Sequence, residues 1–278
     1  MTSKKSTRHN TITTVIIISV AVLALITNLS ELFLNIECLY LNHSNSNISQ
    51  PNFTVYQELL NKYVSGGRVD YQNTKSSSLL SRAINQLKQP VNLDTPEKYY
   101  SFWINAYNLM IIDTISKNYP VKTLKNLKMT FSRNKYIVAG QICSIQDVYN
   151  QKLLNIMVSQ RNLKPIFLTC NGSLGWPKLS NRIVSPDTIY DDAETAIENY
   201  VNNKENVIFD AEKKTITISK FFQINLDYFQ TLYGDPFNFV IEYYKYPHKD
   251  ELYNIAIQKF YFTDFNWSIN DAKNKVAK

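Results

Sequence analysis

The chain has 278 residues, of which 44% are hydrophobic and 13% aromatic, so it can bury a substantial core and is not a disordered sequence. Its net charge of +7 comes from basic residues spread along the chain without a basic block, which argues against nucleic acid as a partner. The three cysteines form no CxxC pair and there are only three histidines, so we expect no disulfide framework, no metal site and no cofactor.

The amino terminus carries an uncharged apolar run. Residues 11–27 contain no charged side chain and follow Lys4, Lys5 and Arg8. As a helix this run spans about 25 Å, close to the lower limit for crossing a bilayer core. It predicts either an uncleaved signal anchor in contact with the lipid bilayer, with the chain's start in the cytoplasm, or a cleaved signal peptide. In both cases the body of the protein is exported.

These patterns divide the chain into five parts. We expect a basic tail at 1–10, a transmembrane helix at 11–30, a linker at 31–52 that is polar from 42 onward, one domain at 53–271 and a second basic tail at 272–278. The protein is thus expected to be a single-pass membrane protein whose main domain lies outside the cytoplasm, or a secreted one if the first segment is cleaved.

The first half of the body alternates predicted helices with turns. Apolar residues at helical spacing predict a helix over 54–64, which paired glycines interrupt. A long helix is predicted from Pro96 to about Asn118, because Thr95 suits its N-cap and another proline follows its end. Residues 136–144 predict two short strands around a glycine turn.

The second half mixes strands and helices. The short apolar stretch 165–170 (PIFLTC) predicts a strand inside a sheet, and Asp191-x-x-Glu194 predicts a capping box at the start of a helix. Residues 207–219 predict a hairpin, and residues 220–234 a helix that ends at its final glycine. A last strand at 259–271 completes the prediction. The fold class is therefore α+β: a single, mainly helical domain with a small, largely antiparallel sheet, preceded by one N-terminal transmembrane helix.

The long helix has almost no polar face, yet it contains two amides. Asn105 and Asn108 lie on one side at i and i+3, and Asp113 is the only charged residue from 101 to 116. A helix buried all round must give such amides partners. They either hold neighbouring loops or line a pocket, and the pattern leaves both possibilities open.

Several stretches in order along the chain resemble one family. They are YVSGGRVDY, FWINAYNLMIIDTISKNYPVKTL, GQICSIQDVYNQKL, FLTCNGSLGWPKL, TITISKFF and TDFNWSIND. Together they are similar to the motifs of the domain of unknown function 547 family, which occurs in exported bacterial proteins and behind a coiled-coil segment in plants. The resemblance covers about residues 53–271 and says little about activity, because the family is largely uncharacterised.

This sequence departs from the family pattern where chemistry is expected. The family's Glu-His pair falls on Tyr149 and Asn150, and the second cysteine of its loop falls on Trp176. The first cysteine falls on Asn171, or on Cys170 if one residue is inserted. If the family uses Cys/His chemistry, the resemblance implies that this chain has lost the histidine and one or both thiols.

Each remaining candidate has two interpretations. Cys170 is either a displayed nucleophile, with Asn150 and Asn171 as polar partners, or a buried small apolar residue. Asp70, after the paired glycines, is either a general acid or base or a residue that closes a turn. Trp176 either walls a cleft or fills the core.

Two functions follow. The leading one is a non-catalytic binding or scaffold module at the cell envelope, which recognises a peptide, a glycan or a partner protein, with Trp103, Asn105, Asn108 and Trp176 as candidate binding residues. The alternative is a divergent cysteine-dependent hydrolase or transferase that uses Cys170. Whether the protein is an enzyme stays open at the level of the sequence.

Overall fold

The computed structural model describes residues 29–42, 48–210, 212–245 and 259–273, together with Ser19, Val22 and Ile26. Residues 29–42 are helical. The α-helices that follow are α1 Thr54–Tyr63, α2 Tyr71–Lys75, α3 Ser78–Leu87, α4 Pro96–Lys117, α5 Lys128–Arg133, α6 Ile145–Asp147, α7 Asn155–Ser159, α8 Ile189–Val201, α9 Lys220–Ile224, α10 Leu226–Tyr233 and α11 Pro236–Tyr243. A π-helix, Val148–Leu154, joins α6 to α7, and two 3-10 helices span Leu124–Leu127 and Lys164–Leu168.

Helix α4 is the centre of the core, as its composition predicts. Thr95 caps its amino terminus, where the Thr95 hydroxyl accepts a hydrogen bond of 3.3 Å from the Lys98 backbone N–H. Pro96 is its first residue, and every residue from Tyr100 to Ser116 is buried. Because this stretch is shielded from water, its polar side chains can find partners only inside the protein. The amides do so, whereas the polar side-chain atoms of Tyr100, Trp103 and Ser116 have no hydrogen-bond partner among the described residues.

The strands form three small sheets rather than one. Their bounds are β1 Val64–Ser65, β2 Arg68–Val69, β3 Lys135–Val138, β4 Gln141–Ser144, β5 Val207–Asp210, β6 Thr215–Ile218 and β7 Phe260–Phe262. Within the described ranges, β1–β2, β3–β4 and β5–β6 pair antiparallel, and β6–β7 pair parallel. The α+β class and the largely antiparallel pairing are confirmed.

The carboxy-terminal segment draws distant parts of the chain together. The predicted last strand is regular only at β7, and beyond it single bridges join Asp271 to Val69 and Ile269 to Ser173. The Val69 N–H also donates to the Asn270 carbonyl at 2.9 Å. These bridges bring the β1–β2 hairpin next to the loop that follows residue 170.

The predicted strand at 165–170 is wrong, because residues Lys164–Leu168 form a 3-10 helix. Pro165 lies in its first turn, where a missing N–H is tolerated. The Phe167 ring is surrounded by other aromatic rings, among them Phe239 at 5.5 Å and Phe221 at 5.1 Å between centroids. A short apolar run buried on every side has the same pattern in a helix and in a strand.

Two other local predictions are wrong in detail. The predicted helix over 220–234 breaks at Asn225, whose side chain donates to the Phe221 carbonyl and accepts from the Tyr149 hydroxyl. Its end is as predicted, with Gly234 in the left-handed region at φ 74. Helix α8 begins two residues before Asp191, so no capping box forms there, and Asp191 instead lies in the first turn, where the helix dipole favours a carboxylate.

At the amino terminus, most of the predicted transmembrane helix at 11–30 lies outside the described residues, as does the basic tail at 1–10. In the part of the chain that the structure describes, no helix combines the length and apolar character needed to span a bilayer. Residues 31–42, which form the first part of the predicted linker, are helical.

Candidate functional site

The structure contains an open cleft at the protein surface. Its volume is about 770 Å³, and it is bordered by the Gly66–Gly67 turn, by the loop 177–184 and by one face of α8. Asn105, Asn108 and Trp176 contribute to its inner surface. The cleft therefore collects three of the four predicted binding residues.

The turn at the cleft's edge requires glycine for two reasons. Gly67 has φ +80, a conformation that side chains rarely adopt. A Cβ on Gly67 would also lie 2.9 Å from the Lys178 Cβ. The turn and the loop 177–184 thus pass each other at a distance that only glycine allows, which sets the width of the cleft at this point.

The two amides of α4 hold the loops that border the cleft. The Asn105 side chain pairs with the Val184 peptide group in both directions, donating to its carbonyl at 2.8 Å and accepting from its N–H at 2.9 Å. Asn108 donates to the Leu168 carbonyl at 3.0 Å and accepts from the Cys170 N–H at 2.7 Å. Each amide therefore satisfies two backbone groups that burial would otherwise leave unpaired.

The two tryptophans have different positions. Trp176 is 5% exposed, its Nε1 donates to the Thr169 hydroxyl at 3.2 Å, and its ring packs on Phe221 at 4.9 Å between centroids. It fills the core and also reaches the inner surface of the cleft. Trp103 is buried in α4 beneath the Lys152 side chain, away from the residues that line the cleft.

Cys170 lies below the cleft as a buried thiol. It is 2% exposed, and its sulfur accepts hydrogen bonds from the backbone N–H groups of Gly172 and Leu179 and, at 3.7 Å, from the Asn270 side chain. Burial outweighs these donors and raises the pKa of the Cys170 thiol to about 11. A thiol must ionise to act as a nucleophile, so this pKa disfavours Cys170 as a nucleophile near neutral pH.

The other predicted catalytic candidates do not converge on Cys170. The Asn171 side chain accepts from the N–H and hydroxyl of Ser173, and Asn150 is half-buried in the π-helix. Asp70 caps α2 by accepting from the backbone and side chain of Asn73, at 3.1 and 2.6 Å. The hydrogen bonds to the Cys170 sulfur come from other residues, so the structure does not assemble these candidates into one site.

The sequence patterns did not single out two sets of residues near the cleft. Asn270 accepts from the Tyr71 hydroxyl at 2.6 Å and donates to the Gly67 carbonyl at 2.9 Å, which holds the turn in place. On the opposite wall, Thr195, Asn199 and Asn203 of α8 and the residues after it face the cleft. Their i, i+4, i+8 spacing is readable in the sequence, whereas the contacts of Asn270, which join residues about 200 positions apart, are not.

No metal centre can be assigned. In the described ranges, no group of three or more His, Cys, Asp or Glu side chains is placed to hold an ion. The three histidines, His9, His43 and His248, all lie outside those ranges. The absence of a metal and of a cofactor stays a prediction of the sequence.

A comparison with known protein families finds a match to part of the chain. A family model described as "Protein of unknown function, DUF547" matches residues 90–201, which include α4, the cysteine loop and α8. The chain matches no curated protein and no solved structure. The matched segment is shorter than the predicted domain of 53–271, whose limits stay a prediction. Residues 90–201 of this chain thus match the model of the DUF547 family of proteins of unknown function, the same family whose motifs the sequence resembles.

Proposed function

We propose that the protein is a non-catalytic binding module whose ligand occupies the cleft. The observation that supports this proposal is the combination of an open, polar-lined cleft with a buried Cys170 thiol whose pKa is raised by its burial. Clefts with a few fixed polar groups are the usual binding sites of proteins. The two carboxylates that line it do not form a catalytic pair with Cys170: Asp192 accepts from Thr188 and pairs with Arg182, and Glu205 is exposed.

The ligand class that fits this lining is an extended polypeptide segment. Thr195 and Asn199 lie one helical turn apart on α8, about 6 Å along its axis, and Asn203 follows two residues after the helix ends. An extended chain repeats its peptide groups on one side every ~6.6–6.8 Å, a similar distance. Ser180 and Asn181 on the opposite wall are exposed and add further donors and acceptors. The pairing of Asn105 with the Val184 peptide group shows how such an amide binds a backbone.

A glycan fits the lining less well. Sugar rings pack their C–H faces on open aromatic rings. The four aromatic residues of the cleft are buried in the core and offer no open ring face: Tyr56, Phe167, Trp176 and Tyr200. The exposed lining consists instead of amides, hydroxyls and charged side chains.

We place this module at the cell envelope because of the amino-terminal sequence. The uncharged run at 11–27, preceded by Lys4, Lys5 and Arg8, has the composition of a signal anchor. Its partner is then the lipid bilayer, and the cleft faces the space outside the cytoplasm.

The cleft proposal is tested with the full chain and a phage-displayed library of random decapeptides. We expect peptides to be enriched, and the double variant Thr195→Ala/Asn199→Ala to weaken their binding about tenfold, because two hydrogen bonds of roughly 0.5–1.5 kcal/mol each are lost. Asn126→Ala, an exposed amide in another part of the chain, is the matched control. Cys170→Ala should leave binding unchanged.

Two results would contradict the proposal. One is enrichment that is absent or insensitive to the α8 substitutions. The other is cleavage or modification of the selected peptides that Cys170→Ala abolishes, which would support the cysteine-dependent alternative.

A further inference from the structure

The helical segment 29–42 is attached to the body by one face only. Leu34, Cys38 and Leu41 are partly buried on that face. The Cys38 thiol and the Asn42 side chain both donate to the Gly140 carbonyl at 3.0 Å. The Lys88 ammonium also lies 2.6 Å from the carboxylate of Glu37. These contacts fix which side of the helix points away from the body.

That outward side is apolar and exposed. Its six residues are between 44% and 71% exposed: Leu29, Leu32, Phe33, Ile36, Leu39 and Tyr40. On a helix with 100° per residue they occupy a sector about 120° wide. We call these six residues the apolar stripe. Soluble surfaces rarely leave a continuous row of large apolar side chains uncovered, so such a row marks an interface.

The spacing within the stripe is that of a coiled-coil seam. Leu29, Phe33, Ile36 and Tyr40 follow each other at steps of four, three and four residues. A 4-3 alternation keeps one seam of a helix against the seam of a partner helix.

The charges of the segment disfavour a membrane surface as the partner. Residues 29–42 contain Glu31 and Glu37 and neither lysine nor arginine. Helices that lie on a bilayer carry basic residues beside their apolar face, because the headgroup region is negatively charged. A second helix with the same seam needs no such basic residues.

We propose that the apolar stripe pairs with the same stripe of a second copy of this chain, in a parallel two-helix coiled coil. The pairing is inferred from the exposure of the apolar stripe and from its 4-3 spacing. The parallel orientation of the two helices rests on the proposed anchoring. If the apolar run 11–27 of each copy inserts into the same membrane, both helices leave that membrane in the same direction. The dimer brings two clefts together, so that a ligand with two binding segments is held by both at once and gains avidity.

The test uses the full chain in lipid vesicles, with Cys38→Ser as background because serine keeps a hydroxyl donor near Gly140. In this background Ile36→Cys is placed in the seam, and Asn35→Cys, which is exposed on another face, is the matched control. Under mild oxidation, Ile36→Cys should form a species of twice 32.3 kDa, roughly tenfold faster than Asn35→Cys, because a seam residue meets its own copy within disulfide distance. In detergent, Phe33→Lys/Ile36→Lys should convert the dimer to a monomer by light scattering.

Equal cross-linking at both positions, or a monomer in the absence of any substitution, would overturn the proposal. A fluorophore on Ile36→Cys that brominated lipid quenches would also overturn it, since the stripe would then lie in the bilayer. Binding of a single decapeptide to each cleft is measured in the same Phe33→Lys/Ile36→Lys variant. Unchanged binding there separates failure of the dimer from failure of the cleft.

Discussion

Asn108→Ala is expected to be among the most destabilising amide substitutions in this protein. The Asn108 side chain is buried and joins α4 to the end of the 3-10 helix Lys164–Leu168 and to Cys170, through the Leu168 carbonyl at 3.0 Å and the Cys170 N–H at 2.7 Å. Alanine removes both bonds and leaves two backbone groups without partners.

The magnitude follows from these two groups. An unsatisfied buried donor or acceptor costs about 1–3 kcal/mol, so the loss of two partners in Asn108→Ala should lower the free energy of unfolding by about 2–6 kcal/mol. Urea unfolding measures this as a lower midpoint at unchanged slope. The exposed Asn126→Ala should change the free energy by less than about 0.5 kcal/mol.

A second measurement tests whether the destabilisation by Asn108→Ala begins at the loop around Cys170. Because Asn108 holds the Cys170 backbone, its loss should expose the Cys170 thiol to alkylation under native conditions, and mass spectrometry identifies the labelled cysteine. If Asn108→Ala costs no more than Asn126→Ala and Cys170 labelling does not accelerate, the amide does not hold the loop and the reasoning is wrong.

Three other predictions test the site and the anchor. Gly67→Ala should lower the thermal midpoint more than Gly66→Ala, because both have positive φ but only Gly67 meets Lys178; equal losses would contradict this. The Cys170 thiol is protonated in the folded state, with a pKa of about 11 against ~8.5 when unfolded, so the stability it contributes is present below ~8.5 and is lost as pH rises toward 11. The free energy of unfolding, measured at pH 8 and pH 10, should therefore fall more in the natural chain than in Cys170→Ala, and parallel losses would refute the raised pKa. Deleting residues 1–30 should move the protein from the membrane fraction to the soluble fraction; an unchanged distribution would argue against the anchor.

The sequence predicted those elements that neighbouring residues specify. Thr95 and Pro96 mark the start of α4, and Gly234 marks the end of α10, because caps and breakers act within a few residues. The all-round burial of α4 was also predictable, since its composition leaves it without a charged face. The 3-10 helix at Lys164–Leu168 was not predictable, because its identity depends on the rings that surround Phe167.

For the candidate site, the sequence by itself determined that Asn105 and Asn108 need partners, and only the tertiary structure decided which ones. The physical reason is the distance along the chain. Asn105 binds a residue 79 positions later, and Asn108 binds residues 60 and 62 positions later. Burial of Cys170, which raises its pKa and disfavours the enzyme hypothesis, arises from the same long-range packing. Residue types determine which groups are polar, apolar or ionisable, whereas the fold determines the solvent and neighbours of each group, and on these its chemistry depends.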